Sequence, residues 1–476
     1  MIKEKLFVSL LSAVMICMFC SASSGQIRKP AVAGTFYPAD KIVLSSEIKK
    51  YLDKVPYKSL SGDLIALLVP HAGYDYSGQT AAYAYKLLEG RHYDNVIVIG
   101  SSHHKNFAGI AASGEDDFET PLGKVRVNKD LLASLMKYDK EIFVDNDAHE
   151  IEHSIEVQLP FLQTVMKDFK IIPLLFGGMS VDTCVRLAQA LQAVSDDKTL
   201  IITSTDLSHY HDYETAKTMD SRAITAILEA NAQAFLTSIS EAKAEACAFP
   251  AVTSMLVAAP YLGINRIQLL NSSNSGDVTP EKNRVVGYAS IAFIRKQIVL
   301  SDSDKKKLLS FSRSTLNSIF SGGKTGISMN GDALLTPGGV FATLKKHGQL
   351  RGCIGYLYPV KPLYKAVADN TVLAATKDNR FPPVTSDEVK DIEIEISVLS
   401  PFRRVSNTDD IVVGRDGLFI EKSGKSGLLL PQVPGEFGWG RAQFLENLCL
   451  KAGLGNDDWK SPNARIYSFT AEVFGE

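Results

Sequence analysis

Seven of the chain's nine histidines fall into four short clusters, all of them in the first half of the sequence. The clusters contain His71, His103 with His104, His149 with His153, and His209 with His211. Three of the four clusters directly follow a β-branched apolar run that is typical of a buried strand. In open α/β sheets, ligands bind outside the carboxyl ends of the strands. Because imidazole binds metals and carries protons near neutral pH, these positions predict one metal or acid–base site.

Strands and helices alternate through the part of the chain that carries these clusters. Strands are predicted at Leu64–Val69, Val96–Gly100, Lys170–Leu175, Leu200–Thr203, Arg266–Asn271 and Val285–Ile294. Helices are predicted at Gly78–Leu88, Lys129–Tyr138, Glu150–Lys167, Val181–Val194, Glu214–Glu229 and Ala251–Tyr261. This alternation predicts an α/β domain over residues 27–297, with helices on both faces of its sheet.

A second domain, richer in glycine and proline, is predicted over residues 304–476, and a charged stretch at 301–307 marks the junction. We expect a helix at Lys305–Phe320 with Asp304 as its N-cap. Strands are predicted at Gly339–Lys345, Ile392–Leu399 and Leu418–Lys422. The other predicted helices are Leu363–Thr376 and Arg441–Ala452. Their order predicts a smaller α+β domain with an antiparallel sheet. A chain of 476 residues is long enough for two such domains.

The first 25 residues are typical of an export signal. Lys3 and Lys5 precede an apolar run from Leu6 to Cys20, and small residues follow it. The run is too short to span a bilayer comfortably, so we expect cleavage and an exported, periplasmic or extracellular protein without a transmembrane span. Lipid anchoring on Cys20 is the weaker alternative, because Phe19 is a poor residue to precede a lipidated cysteine.

The overall charge argues against one class of partner. The formal net charge is −2, and no basic stripe interleaved with aromatic residues is present in the sequence. Nucleic-acid-binding proteins use such basic surfaces. We therefore expect no nucleic-acid partner.

The segment from His149 to His153 reads HEIEH, which matches both HExxH and the reversed HxxEH motif. On one helix face, two histidines four residues apart bind zinc while a glutamate acts as base. This motif gives a zinc hydrolase as one hypothesis. Pro160 would interrupt the helix soon afterwards, and no further histidine follows at metzincin spacing. A carboxylate-rich helix start, which is favourable with the helix dipole, is the interpretation that we prefer.

A second set of candidate ligands comes from distant parts of the chain. His71 and His103 are ligands of the kind that iron, zinc and copper accept. Cys247 precedes a predicted helix, a position that lowers the pKa of a thiol and favours metal binding as thiolate. Spacing alone does not unite these residues. For each of them, a role as a buried polar or thiol core residue stays equally open.

The same stretches resemble the Memo family, and the second domain resembles the AMMECR-type domain. The Memo resemblance rests on RKPAVAGTFYPAD (28–40), VPHAGYDYSGQTAAYAY (69–85), IGSSHH (99–104), DAHEIEHSIEVQLPFLQ (147–163), STDLSHY (204–210) and Cys247. The AMMECR resemblance rests on LRGCIGYL (350–357), FPPVTSDEV (381–389), SVLSPF (397–402), LLLPQVPGEFGW (428–439) and KAGL (451–454). Such domains occur together with a radical SAM enzyme in the AmmeMemoRadiSam system. The chain resembles the B and A components of that system joined in one polypeptide.

This resemblance implies the fold of class III extradiol dioxygenases, which use nonheme Fe(II). It implies His71, His103 and Cys247 as metal ligands, and His209 as an acid–base residue with Asp206 beside it. The cysteine replaces the carboxylate of the usual 2-His-1-carboxylate triad, so ring cleavage does not follow. Thiolate favours iron or copper, with zinc as a further candidate. The resemblance also implies a radical SAM protein as partner.

Three functions therefore stay open on the sequence. The first is a metal-binding, redox-active protein with a 2-His-1-Cys mononuclear site in a dioxygenase-like cleft that takes a small molecule or peptide. The second is a noncatalytic module that binds a peptide or protein in the same cleft. The third is the HExxH-type zinc hydrolase. In the first, we expect Glu152 or Asp206 to orient an imidazole and Cys247 to stay outside any disulfide.

Overall fold

The computed structural model describes residues 25–56, 60–178, 180–322 and 329–476. The predicted export signal lies outside these ranges except for its last residue, so it stays a prediction. In the described part of the chain, no helix is long and apolar enough to cross a membrane.

The part of the chain that precedes residue 300 contains twelve strands and nine helices among the described residues. The strands are β1 (Ile27–Arg28), β2 (Asp63–Val69), β3 (Asn95–Ser101), β4 (Ile110–Ala112), β5 (Asp117–Thr120), β6 (Gly123–Arg126), β7 (Ile142–Val144), β8 (Lys170–Phe176), β9 (Thr199–Ser204), β10 (His209–His211), β11 (Arg266–Asn274) and β12 (Val285–Arg295). The helices are α1 (Lys41–Asp53), α2 (Tyr74–Tyr85), α3 (Lys129–Tyr138), α4 (Asn146–Glu150), α5 (Leu159–Val165), α6 (Val181–Val194), α7 (Tyr213–Leu228), α8 (Ala232–Ser240) and α9 (Phe249–Ala258).

Most of these strands form one mixed sheet in the order β10-β12-β2-β9-β3-β8-β4-β7, and β11 also pairs with β12. Strands β2, β9, β3 and β8 are neighbours and run parallel. Alternate residues of β3 face opposite cores, since Ile97 and Ile99 lie in one buried cluster and Val96 and Val98 lie in the other. Both faces of the sheet are therefore covered, which confirms the predicted α/β arrangement. Burial on both faces also explains why these strands are continuously apolar in the sequence.

The second part of the chain is α+β, as predicted. Its helices are α10 (Asp302–Ser321), α11 (Asp332–Leu335), α12 (Leu363–Thr376), α13 (Val433–Phe437) and α14 (Arg441–Lys451). Its strands are β13 (Val340–Lys346), β14 (Gln349–Tyr356), β15 (Ile392–Leu399), β16 (Arg403–Arg404), β17 (Gly417–Lys422), β18 (Lys425–Leu429), β19 (Arg465–Phe469) and β20 (Ala471–Gly475). They form two antiparallel sheets, β14-β13-β15-β20 and β16-β19-β17-β18.

Two of the predicted helices differ from the structure in ways that affect nearby contacts. The predicted helix Glu150–Lys167 is interrupted, because α4 ends at Glu150 and α5 begins only at Leu159. The backbone between them bends so that Glu152 and Glu156 turn inwards, where both are buried. The N-cap of α10 is Ser301 rather than Asp304, which forms a reciprocal capping box with it as the third helical residue.

Candidate metal centre

Three side chains of the site lie at equivalent positions on parallel strands. His71, His103 and Asp206 each follow the last residue of a strand by two positions, after β2, β3 and β9 respectively. Because β2 and β3 flank β9 and all three run parallel, their carboxyl ends meet at the same edge of the sheet. The loop that precedes α9 brings Cys247 to this edge, where its carbonyl accepts a hydrogen bond from the Ser101 hydroxyl at 2.9 Å.

This arrangement brings together the three metal ligands that the sequence predicts. One ligand atom from each of His71, His103 and Cys247 lies within 4.8 Å of the others. The Nε2 atom of His71 is 3.0 Å from the Sγ atom of Cys247. Two imidazole nitrogens and one thiolate sulfur form a donor set that suits iron, copper or zinc.

Hydrogen bonds determine which ring nitrogen of His71 carries the proton. Its Nδ1 atom lies 3.0 Å from the hydroxyl of Ser204. That hydroxyl donates its only hydrogen to the carbonyl of Ser154 at 2.5 Å, so it can only accept from His71. Gln158 donates a second hydrogen bond to Ser204 at 2.8 Å and is itself oriented by the carbonyl of Pro70. His71 is therefore protonated on Nδ1, and its Nε2 lone pair is free to bind a metal.

Glu152 plays the corresponding role for His103. One carboxylate oxygen accepts from Nδ1 of His103 at 2.9 Å, and the other accepts from its backbone N–H at 2.6 Å. Although burial acts to raise the pKa of Glu152, its contacts with His103 outweigh that effect and hold the pKa well below its usual range. Arg28 fixes this loop by donating to the carbonyl of Glu152 at 2.7 Å and by pairing with the buried carboxylate of Glu156. Glu152 is thus the orienting carboxylate, one of the two residues proposed for that role.

Cys247 is held by the backbone of the segment that follows β9. The backbone N–H of Asp206 donates to the sulfur at 3.1 Å, and the N–H of Cys247 donates to the carbonyl of Asp206 at 3.2 Å. The carboxylate of Asp206 accepts from the backbone N–H of His71 at 2.8 Å. Asp206 therefore positions the peptide backbone of His71 rather than an imidazole ring. Cys247 is a free thiol.

The acidic groups of the site hold their protons unusually tightly. Burial, with a contribution from the Asp206 charge, raises the pKa of the Cys247 thiol to about 12. Burial likewise raises the pKa of Asp206 to about 7. The predicted lowering of the Cys247 pKa by the helix start is therefore wrong for the chain alone, because loss of water outweighs the start of α9. A bound cation would stabilise the ionised forms of these two groups, so the residues fit a metal ion.

His153 and His149, the two histidines of HEIEH, lie in different environments. His153 stacks on His103 with ring centroids 4.5 Å apart and could join His103 and Glu152 in a second ligand group. The His149 ring is buried and its Nε2 atom contacts the carbonyl of Ala111 at 3.1 Å. Because α4 ends at Glu150, the two histidines do not share a helix face. The described structure therefore lacks the geometry that the zinc-hydrolase hypothesis requires.

The metal-ligand group opens into a cavity of about 670 Å³. His209 lines this cavity together with Phe36, Tyr76, His71, His103, His153, Asp206, Tyr210, Arg284 and Tyr288. Burial lowers the pKa of His209, so its imidazole is neutral at pH 7 and can accept a proton. The structure thus brings His209 and Asp206 to the same cavity as two of the three candidate ligands, His71 and His103.

Sequence reasoning missed two residues that orient His71, namely Ser204 and Gln158. Both lie inside stretches that carry the Memo resemblance, but neither residue type by itself indicates a contact with a metal ligand. The sequence indicated His153 only as part of the HEIEH motif, yet its ring lies against two candidate ligands, 5.3 Å from the His71 ring and 4.5 Å from the His103 ring. Its position depends on the bend after α4, which no local pattern predicted.

In the second domain, residues 351–355, which belong to a stretch that carries the AMMECR resemblance, lie within strand β14. A Cβ on Gly352 would lie 2.2 Å from the carbonyl oxygen of Ala374, so glycine permits the close approach of β14 to α12. Arg351 is paired with Glu388, and Cys353 accepts a hydrogen bond from the Thr343 hydroxyl at 3.3 Å. These contacts favour a structural role.

Comparison with protein families finds two matches along the chain. The family model for Memo-like protein matches residues 28–292. The family model AMMECR1 matches residues 309–474. The two matches do not overlap and follow each other in the order expected from the sequence motifs.

Individual proteins match parts of the chain. The chain is 37% identical over 274 residues to the MEMO1 family protein TV1383 of Thermoplasma volcanium, covering 57% of this chain and 100% of that protein. It is 34% identical over 268 residues to the MEMO1 family protein Ta0237 of Thermoplasma acidophilum, covering 56% of this chain and 98% of that protein. The solved structure of uncharacterized protein PH0010 from Pyrococcus horikoshii is 40% identical, covers 36% of this chain and 89% of that chain, and has a TM-score of 0.33.

Proposed function

This chain belongs to the Memo family and carries an AMMECR1 domain after its Memo domain, and we propose that the Memo domain binds a metal ion and is redox-active. The ion is held by His71, His103 and Cys247, in a cleft of the class III extradiol dioxygenase type. A single observation carries the proposal: ligand atoms from three distant parts of the chain lie within 4.8 Å of one another.

The contacts around the ligands support a built site. Ser204 leaves the Nε2 atom of His71 unprotonated, and Glu152 accepts from the Nδ1 atom of His103 and so orients that ring. Metal-binding histidines typically have a buried partner that fixes the orientation of the ring, and a chance cluster of polar residues lacks such partners. We assign these two residues as positioning residues.

Iron or copper is the ion that we propose, with zinc as the further candidate. Thiolate is a soft ligand that copper(I), iron and zinc accept, whereas magnesium and calcium prefer oxygen. Three protein ligands leave coordination positions open for another molecule. When bound, an iron or copper ion would supply one-electron redox chemistry.

We assign the proton-transfer role to His209. Its neutral imidazole lines the same cavity as His71 and His103, and a neutral imidazole takes a proton from a bound molecule and later returns it. Asp206 holds the backbone of His71 and contributes a carboxylate to the cavity wall. Asp206 therefore links the position of the metal ligand His71 to the wall of the cavity.

Metal content after anaerobic purification tests this function. We expect about one ion per chain in the parent protein, and loss of that ion in His71→Ala and Cys247→Ser. His92→Ala is the matched control, because His92 is exposed and pairs only with Asp94. Retention of the ion in both ligand variants would contradict the proposal.

The same measurement separates the alternatives. A cavity of about 670 Å³ also suits a noncatalytic module that binds a small molecule or peptide. A chain that never takes up iron, copper or zinc would favour that module. Further proposals, supported by the sequence resemblance and the N-terminal pattern alone, are a radical SAM partner and export from the cytoplasm.

A further inference from the structure

The cavity is lined by aromatic side chains as well as by histidines. Four aromatic side chains line it, namely Phe36, Tyr76, Tyr210 and Tyr288. Aromatic walls bind flat, apolar groups through large contact area and ring–ring geometry. Polar residues, including Asp206, line the same cavity.

Tyr210 is held in an unusual backbone conformation. Its φ angle is +62°, in the left-handed region that non-glycine residues rarely adopt. The register between β10 and β12 shifts between His209 and His211, and such irregularities re-aim a side chain. Both neighbours are anchored on Glu245, which accepts from the His209 backbone N–H and the His211 ring, each at 2.8 Å. The strain is therefore kept in place by its surroundings, as at ligand-binding sites.

Arg284 lies over the face of this tyrosine. Its guanidinium carbon is 5.1 Å from the centre of the Tyr210 ring. Among the residues that the structure describes, Arg284 has no carboxylate partner and its side chain donates no hydrogen bond. Stacking occupies the flat face of a guanidinium and leaves its N–H edge free for a bidentate oxyanion.

The segment that carries Arg284 is well anchored. The next residue, Val285, is fully buried, and the N–H of Val286 donates to the hydroxyl of Ser275 at 3.0 Å. Glu281 lies on the same rim and accepts the backbone N–H of Asn283 at 2.6 Å. The arginine is thus positioned before any ligand arrives, which lowers the entropic cost of binding.

We propose that this cavity binds a small aromatic carboxylate, with its ring against Tyr210 and its carboxylate on the N–H edge of Arg284. The proposal rests on the proposed function only in placing the ligand in the same cavity as the metal centre. The contact with Arg284 itself does not require a bound metal ion.

Calorimetric titration of the full chain with three probes tests this inference. Benzoate has the ring and the charge, benzamide has the ring alone, and cyclohexanecarboxylate has the charge without a flat ring. We expect benzoate to bind about tenfold or more tightly than either of the others, because a charge-assisted hydrogen-bonded pair and an aromatic contact are each lost. Arg284→Gln removes the preference for benzoate over benzamide.

Lys217→Gln is the matched control, because Lys217 is an exposed cation that lies over Tyr213 and does not line this cavity. It removes the same charge and leaves the preference unchanged. Equal binding of benzoate and benzamide, an unchanged preference in Arg284→Gln, or no binding of benzoate at millimolar concentration would each overturn the inference. Titrations are run on chelator-treated and metal-loaded protein. If the chain fails to bind metal but keeps the preference for benzoate, the proposed function fails and this inference stands.

Discussion

The Nε2 atom of His71 lies 3.0 Å from the Sγ atom of Cys247, although 176 positions separate the two residues in the sequence. His71 has its proton on Nδ1, so this contact is a hydrogen bond from the thiol to the free ring nitrogen. An ion that replaced the thiol hydrogen would bind both atoms. Metal and proton therefore compete for the same place.

We expect metal affinity to rise with pH. The pKa of the Cys247 thiol is about 12, so the thiol is protonated at neutral pH and must lose its proton when an ion binds. Each proton released increases affinity by about tenfold per pH unit. Zn²⁺ titration against a competing chelator at pH 7 and pH 8 measures this slope. Cys247→Ser should lower the slope by one proton, and a pH-independent affinity in the parent chain would refute the competition.

Ser204→Ala should weaken metal binding without removing a ligand. The alanine no longer accepts from Nδ1 of His71, so the ring loses the partner that fixes its tautomer. Loss of such a partner costs about 10–100-fold in metal affinity. Ser290→Ala is the control, since its buried hydroxyl donates to the carbonyl of Thr80, away from the ligands. Equal affinities for the two variants would show that Ser204 does not position His71.

Glu152→Gln tests the partner of His103. The amide keeps an oxygen for one of the two His103 donors but loses the charge that stabilises the ring N–H, and we expect metal affinity to fall by about 10–100-fold. Glu150→Gln makes the same change two residues away on an exposed side chain and should leave affinity unchanged. Competition titration compares the two. The role of Glu152 is excluded if both variants bind as the parent does.

Stability should depend on pH through Asp220, a buried carboxylate that accepts the Ser208 backbone N–H at 3.0 Å. Burial raises its pKa from 3.8 to about 6 in the folded chain. Between pH 4 and pH 7 the unfolded chain loses this proton first, so the folded state is increasingly penalised, by about 3 kcal/mol at most. Asp220→Asn keeps the acceptor and removes the penalty.

Urea unfolding at pH 4 and pH 8 checks this expectation. The asparagine variant should be more stable than the parent at pH 8, and the difference should vanish towards pH 4. A stability difference that is the same at both pH values would mean that Asp220 ionises in the folded chain as it does in the unfolded one.

Elements with strong local patterns were predictable from the sequence. Helices Lys129–Tyr138 and Val181–Val194 occur with the predicted bounds, and the four central strands extend the predicted ones by one or two residues. Apolar periodicity determines such elements locally. The bend after Glu150 was not predictable, because it depends on burying Glu152 and Glu156 against Arg28 and His103, which are distant in sequence.

The candidate site was predictable only in part. Strand ends and the Memo resemblance indicated His71, His103 and Cys247, and the structure brings their ligand atoms together. Their role as metal ligands stays a prediction. The predicted lowering of the Cys247 pKa was wrong. The position of Cys247 before a helix is visible in the sequence, whereas its burial by neighbouring segments is not. Ser204 was not predictable for the same reason. Its role depends on the hydrogen bond that its hydroxyl donates to the carbonyl of Ser154, which lies 50 positions away in the sequence.

X-ray absorption at the metal edge tests the central claim most directly. In the metal-loaded chain, we predict one sulfur at ~2.3 Å for zinc, with imidazole nitrogens at about 2.0–2.1 Å. The sulfur contribution should disappear in Cys247→Ser. A first coordination sphere of nitrogen and oxygen alone in the parent chain, or a sulfur that persists in Cys247→Ser, would contradict a centre built from His71, His103 and Cys247.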